Sequence, residues 1–364
     1  MRILHVITSL RTGGAEKLMV DLLPRLAARG HEVELLCFSG ERTAFWEELE
    51  RRGIRIHSLV EGGCNVYSPA TAWRVVRFLK RGGYDIVHSH NTAAQLWVAL
   101  AGALGCRSRL LTTEHSTNNR RRGKTWLRGA DRWMYGRYEQ IVAISDDAVK
   151  ELRKWLPLYE SRYRVVVNGI DYARFASAES SGEIGELCGG RKVALMVAGF
   201  KPPKDQPTLI RAVAEAGDGW AACFAGVGEL ESSCRALARE LDVEERVKFL
   251  GMRTDVAELM RGADAVVLAS HYEGLSLSSL EGMASGRPFV ASDVKGLRDI
   301  VGGAGLLFAD GDSSELARIL LRLGREPELC TETGRRGQER AARYGIEGTA
   351  AGYDGLYSLR ENDE

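Results

Sequence analysis

The sequence predicts an α/β protein of two Rossmann-like domains with parallel sheets facing across a cleft. Three observations lead there. A chain of 364 residues is long for one core and suits two domains of roughly 100 to 200 residues each. Short apolar runs bounded by Gly, Pro or Asp alternate with helix-period segments, the pattern of repeated βαβ units. The series of strand-like runs also starts afresh midway along the chain.

In the first half the strand candidates are residues 3–8, 32–38, 86–89, 110–114 and 140–144, with an amphipathic helix over 16–29 that Gly30 closes. A run at 165–168 ends the series. The stretch DYARFASAESSGEIGELCGG, small and polar, reads as an exposed connector, which places the boundary near 172–190. A second series follows at 193–198, 221–225, 247–250, 265–268, 288–291 and 305–308, and the chain closes on a helix over 346–360. The expected division is therefore 1–172 and 173–345, with 346–364 as a terminal helix.

Hydrophobic residues at 45% and charged residues at 27% describe a chain able to build cores. A net charge of +1 offers no domain-wide basic excess, so nucleic acid is not an expected partner. The charge is uneven: residues 1–190 carry 28 Lys and Arg against 21 Asp and Glu, leaving 22 against 28 in the remainder. The first half thus suits an anionic acceptor or a membrane surface better than the second. Seven scattered cysteines without a CxxC pair read as reduced thiols in a cytoplasmic protein. The amino terminus MRILHVITSL reads as a first strand rather than a cleaved leader, and no apolar run approaches the length of a membrane span.

In a doubly wound fold, ligands collect where the loops leave the carboxyl ends of the strands. The strongest local signal lies in such a loop, SHYEGLSLSSLEGMASGRPFVASD at 270–293. Ser276 caps a helix there, and the backbone amides around Gly274, Leu275, Ser276 and Leu277 suit a diphosphate. Glu273 in the loop and Glu281 in the helix offer acceptors for two diols. Taken alone, the same residues also describe a capped surface helix with solvated glutamates.

This stretch resembles the Glu, seven residues, Glu signature of the retaining glycosyltransferases of family four, or group one, and the resemblance extends over nearly the whole chain. It implies the GT-B fold and transfer of a hexose or N-acetylhexosamine from a nucleotide diphosphate sugar to a glycan or lipid-linked acceptor. UDP-sugars are favoured and GDP-mannose is next. No metal or other cofactor is implied, the setting is envelope or capsular polysaccharide synthesis, and the chemistry is front-face displacement assisted by the leaving diphosphate. Glu273 would contact the donor sugar and Glu281 the ribose. In MVAGFKPPKDQPTLIRAVA, Lys204 would clamp the diphosphate, with Lys201 substituting for the Arg usual at the position of Gly199. The SLRTGGAEKLMVDLL loop, with Gly13 and Gly14, would line the cleft; as a bare pattern it is equally a tight βα turn at positive φ. Loops at Gly226, Gly228, Gly251, Met252 and Arg253 would approach the base, and His115 would reach the donor sugar.

Three patterns stand apart from that signature. His88 and His90 alternate on one strand without metal-spaced partners, which argues against zinc, and His90 is a candidate lining residue for the acceptor. Asp310 and Asp312 spell DxD but sit in a Gly-containing turn, where Asp312 or Ser313 serves as an N-cap. Residues Asn119 to Tyr138 interleave seven cations with Trp126, Trp133, Met134 and Tyr135. That segment reads either as a peripheral membrane contact on the cytoplasmic face or as a helix packing its aromatics inward. A nucleotide-sugar epimerase would give a product without any acceptor, and a non-catalytic nucleotide-sugar-binding module would bind without turnover; these are the alternative functions.

Overall fold

The computed structural model describes residues 1–11, 13–115 and 121–359. The chain divides into two compact units, Met1–Gly169 with Ile346–Glu364, and Ile170–Gly345.

The first unit is a seven-stranded parallel sheet of β1 (Arg2–Ile7), β2 (Glu32–Ser39), β3 (Arg55–Val60), β4 (Ile86–His90), β5 (Arg109–Glu114), β6 (Gln140–Ala143) and β7 (Tyr163–Val165), ordered β3-β2-β1-β4-β5-β6-β7. The order reverses between β1 and β4. Central strands are buried on both faces, hence their nearly continuous apolar runs. On one face Leu4, Val6 and Val87 pack with Val98, Tyr135 and Tyr138; on the other Ile3, Ile7, Ile86 and Leu111 pack with Leu18, Leu22 and the terminal helix Ile346–Ser358 through Tyr353 and Tyr357. β3 has no counterpart among the sequence expectations. It is an edge strand, RIHSLV, whose polar residues meet solvent and interrupt the apolar run.

The second unit is a six-stranded parallel sheet of β8 (Lys192–Val197), β9 (Trp220–Ala225), β10 (Val247–Gly251), β11 (Ala265–Leu268), β12 (Phe289–Ser292) and β13 (Leu306–Phe308), ordered β10-β9-β8-β11-β12-β13. Its order reverses between β8 and β11.

The connector expected at 172–190 is exposed or partly exposed over most of its length but is anchored to the second unit. Tyr172–Ala176 and Glu183–Leu187 are short helices, and Phe175, Ile184 and Cys188 are buried in the core of the second unit. Isolated apolar residues among Ser, Gly and Ala were enough to dock it, since each buried side chain of that size contributes about 1.5–3 kcal/mol. All seven cysteines are free thiols; Cys188 and Cys223 lie 3.4 Å apart, sulfur to sulfur. No helix among the described residues is long and apolar enough to cross a membrane.

Candidate active site

In the second unit the strand-order reversal sets the loop after β8 beside the loop after β11. The two loops are stitched together by their backbones: Asp205 N–H donates to Ala269 O at 3.0 Å, His271 N–H donates to Pro203 O at 3.0 Å, and Lys204 bridges Ser270. That stitching brings Lys204 Nζ onto Glu273 Oε1 as an ion pair. The two side chains are 17% and 12% exposed, so the pair is shielded yet reachable. An ammonium has three N–H donors, and further donors remain for a ligand. Asp205 caps the helix Gln206–Glu215, accepting from Thr208 N–H, and so fixes the chain direction beyond Lys204. Lys201 projects into solvent, and no ion pair holds it among the described residues.

The helix after β11 is Leu277–Ala284, with Ser276 as its cap. Ser276 Oγ accepts from Ser279 N–H at 3.3 Å, while Ser279 Oγ donates to Ser276 O at 2.7 Å. This satisfies one first-turn amide and leaves the others, with the positive end of the helix dipole, for an anion. Gly274, Leu275 and Leu277 line the approach and are partly exposed; Glu281 is buried in the helix. Gly296 lets this loop close, because a Cβ there would meet Glu273 O at 2.2 Å and Gly274 O at 2.4 Å.

The loop after β9 packs backbone to backbone on the loop after β8. A Cβ on Gly228 would lie 2.3 Å from Phe200 O, and one on Gly226, at φ 149°, 2.1 Å from Ala198 O. Arg253 is held by two carboxylates: Nε and Nη2 donate to Asp255 at 2.8 and 2.6 Å, and Nη1 and Nη2 donate to Glu183 at 3.0 and 2.7 Å. Those pairs engage its guanidinium within the protein. The DxD residues part company, Asp312 capping the helix Ser313–Arg325 and Asp310 Oδ1 accepting from His271 Nδ1 at 2.8 Å. The ligating atoms of Asp205, His271 and Asp310 lie within 4.8 Å of one another.

In the first unit, Gly13 is the extended N-cap of the helix Gly14–Ala28, at φ −179°, and neither Gly13 nor Gly14 has positive φ. The alternative of a turn that demands left-handed backbone is therefore excluded. A Cβ on Gly14 would meet nothing within 4 Å, whereas one on the N-cap Gly13 would lie 2.1 Å from Glu16 Oε2.

His115 follows β5 and is not solitary. His5 stands in register with His88 across β1 and β4, and His5, His88 and His90 are buried with stacked rings 4.6–5.2 Å apart. His90 Nδ1 meets His115 Nε2 at 2.9 Å, and His90 Nε2 meets His5 Nδ1 at 2.9 Å. The expectation that His90 lines an acceptor surface is thereby overturned: it is fully buried and both ring nitrogens are engaged. Burial lowers the pKa of His5 to about 3 and drives those of His88 and His90 well below the ordinary imidazole value. At His115 burial also prevails, lowering the pKa to about 4 against the opposing charge of Glu114. His5 gave no signal in the sequence, as a lone His in an apolar strand is indistinguishable from a packed core residue.

The cationic aromatic segment packs only part of its aromatics inward; Asn119 and Arg120 lie outside the described residues. Met134 and Tyr135 are buried, Arg122 pairs with Glu114, and Arg121 pairs with Asp131. Arg128 donates to Trp155 O at 2.8 Å. Trp126 at 75% and Trp133 at 39% remain exposed, alongside Lys124, Arg132 and Arg137.

Comparison with known proteins covers both units. The family model Glycosyltransferase Family 4 matches residues 12–174, and the model Glycosyl transferases group 1 matches residues 191–326. Phosphatidyl-myo-inositol mannosyltransferase of Mycobacterium leprae is 29% identical over 347 residues, covering 91% of this chain and 89% of its own. N-acetyl-alpha-D-glucosaminyl L-malate synthase of Bacillus anthracis is 26% identical over 342 residues, covering 90% and 88%. Among solved structures, Anabaena HepE in complex with UDP and glucose superposes with a TM-score of 0.84 at 23% identity, covering 99% of this chain and 100% of the other. The fold is GT-B. The chain is a glycosyltransferase related to the family 4 and group 1 enzymes.

Proposed function

We propose that this protein is a retaining hexosyl- or N-acetylhexosaminyltransferase that uses a UDP-sugar and acts on a glycan or lipid-linked acceptor in polysaccharide or glycoconjugate synthesis. The observation that carries this reading is the Lys204–Glu273 pair beside the capped helix start at Ser276, with Glu281 buried in the same helix. A fixed cation, a dipole end and two carboxylates match, in order, a diphosphate, its second phosphate, a sugar diol and a ribose diol.

In this reading Lys204 and the amides from Gly274 to Leu277 stabilise the departing diphosphate, and no metal is needed for that charge. Glu273 orients the sugar, and Glu281 accepts from the ribose hydroxyls. The acceptor oxygen forms its bond to the anomeric carbon on the face from which the phosphate oxygen leaves, and the acceptor proton passes to the diphosphate. Gly14 and Gly228 keep backbone open to the donor, and Lys201 adds charge at the rim. Arg253, engaged by Asp255 and Glu183, serves by holding its loop for backbone contacts rather than through its guanidinium. His115 donates to a sugar hydroxyl. Exposed Trp126 and Trp133 with Lys124, Arg132 and Arg137 form a peripheral membrane contact, each cation contributing about 1 kcal/mol on an anionic leaflet.

The test is slow donor hydrolysis without acceptor, followed by proton NMR. Release of UDP together with the sugar as the α-anomer before mutarotation supports retention. Release of the β-anomer contradicts it, and a new nucleotide sugar with no hydrolysis would establish the epimerase instead.

A further inference from the structure

The buried imidazoles of the first unit form a continuous chain of contacts with a definite proton count. Tyr353 Oη lies 3.0 Å from Thr113 Oγ1, which lies 2.8 Å from His88 Nε2. His88 Nδ1 lies 2.7 Å from Tyr357 Oη, which lies 3.3 Å from His5 Nε2. His5 Nδ1 meets His90 Nε2 and His90 Nδ1 meets His115 Nε2, both at 2.9 Å. Every link joins two atoms that can share one proton. A neutral imidazole carries one N–H and one lone pair, so the direction of any link sets that of the next.

Only two arrangements satisfy every link. In one, all protons point inward, His115 shows a bare lone pair at Nδ1, and the hydroxyl proton of Tyr353 is left over. Tyr353 is fully buried, and Thr113 is its hydrogen-bond partner among the described residues. That proton would have no acceptor, and no ligand can reach a fully buried hydroxyl to supply one, so its desolvation cost stays uncompensated. In the other, Tyr353 donates to Thr113, Thr113 to His88 Nε2, His88 Nδ1 to Tyr357, Tyr357 to His5 Nε2, His5 Nδ1 to His90 Nε2 and His90 Nδ1 to His115 Nε2. The surplus proton then sits on His115 Nδ1. This atom is itself shielded from solvent and has no partner among the described residues, so either arrangement leaves one buried donor; the two differ in that Tyr353 is fully buried, whereas His115 is partly exposed at the carboxyl end of β5, where a bound ligand can supply the acceptor.

We propose that Tyr353, Thr113, His88, Tyr357, His5 and His90 form a one-directional hydrogen-bond chain that holds His115 as the Nδ1–H tautomer, an obligate hydrogen-bond donor to an oxygen of the bound ligand. Its functional meaning rests on the reading of His115 as a contact to a donor-sugar hydroxyl. His115 is then the residue that touches substrate, and the other six are positioning residues, two of them supplied by the terminal helix. The low pKa values of the four imidazoles keep the chain neutral at physiological pH. The same links account for the cluster of ligating nitrogens on His5, His88 and His90, which lie within 4.8 Å of one another, without an ion.

Nitrogen-15 NMR of the full chain labelled at histidine tests this at pH 7.5. The expected result is that His5, His88, His90 and His115 are all Nδ1–H tautomers, with Nε2 in the unprotonated range. An Nε2–H signal from His115, or stoichiometric zinc in the purified protein, would overturn the proposal. In His90→Phe the link to His115 is cut: loss of its single tautomer, with UDP affinity kept and kcat lowered at least tenfold, is expected. A His115 that stays purely Nδ1–H in that variant would show that the chain does not hold it. The NMR result needs no turnover, so failure of the transferase reading is seen separately, as absence of donor hydrolysis.

Discussion

Lys204 and Glu273, 69 residues apart in sequence, form an ion pair because each lies in the loop leaving one of the two strands that flank the reversal of strand order in the second sheet. The topology brings the loops together, and the backbone bonds at Ala269 and Pro203 fix the register. Lys204→Met is expected to lower kcat/KM about 10²- to 10³-fold, the scale of losing one transition-state charge stabiliser. With both partners mostly shielded, the folded state is expected to lose about 1–3 kcal/mol, between the values for exposed and buried pairs. Steady-state kinetics and urea melts check the two separately.

Removing the charge at position 281 tests the ribose role. Glu281→Gln is expected to raise the Kd for UDP roughly tenfold to a hundredfold, since hydrogen bonds to a charged group contribute about 1.5–3 kcal/mol. Calorimetric titration reads this directly, and an unchanged Kd would remove Glu281 from the site.

Two glycines should separate ligand room from folding. Gly14→Ala meets no atom and improves a helix start, so the expected outcome is unchanged or higher Tm with weaker donor binding. Gly228→Ala places a methyl 2.3 Å from Phe200 O, and about 1–3 kcal/mol of stability is expected to be lost. Thermal melts with and without UDP distinguish the pair.

The pH dependence of stability follows from the imidazole cluster. His5 and His115 titrate near 3 and 4 when folded, below the ordinary 6.5, and His88 and His90 lie well below it too. The unfolded chain therefore binds more protons as pH falls below about 6.5, and stability present above that pH is lost toward pH 4. Glu34 adds a lower window. Although burial opposes its charge, hydrogen bonds from Tyr84, His57 and Arg2 hold its pKa near 2, so its contribution is lost between about 4.5 and 2. Denaturation at a series of pH values is expected to show uptake of two or more protons on unfolding between pH 6 and 4.5. A flat profile there would contradict the buried neutral cluster.

The second-unit site was legible because its parts are local: a strand of four apolar residues, a Ser cap and two glutamates on one loop and helix. Lys204 was legible as a residue, but its pairing with Glu273 depends on which strands are neighbours, and periodicity does not encode sheet order. β3 was hidden because an edge strand needs only half of the apolar pattern. The docking of residues 172–190 was hidden because Phe175 and Ile184 stand singly among small residues. Arg253 looked available because Glu183 lies 70 positions away. The imidazole chain eluded reading for a similar reason, with its members drawn from three strands, a loop and the terminal helix.

The most direct test of the central claim is a thermal-shift panel of UDP, GDP, ADP and their common sugars, run on the native protein and on Glu281→Ala. A ligand at a hundredfold excess over its Kd stabilises by about 2.7 kcal/mol. The account expects UDP and a UDP-sugar to raise Tm, with the rise weakened in the variant. No shift with any nucleotide at millimolar concentration, in protein shown to be folded, would contradict it.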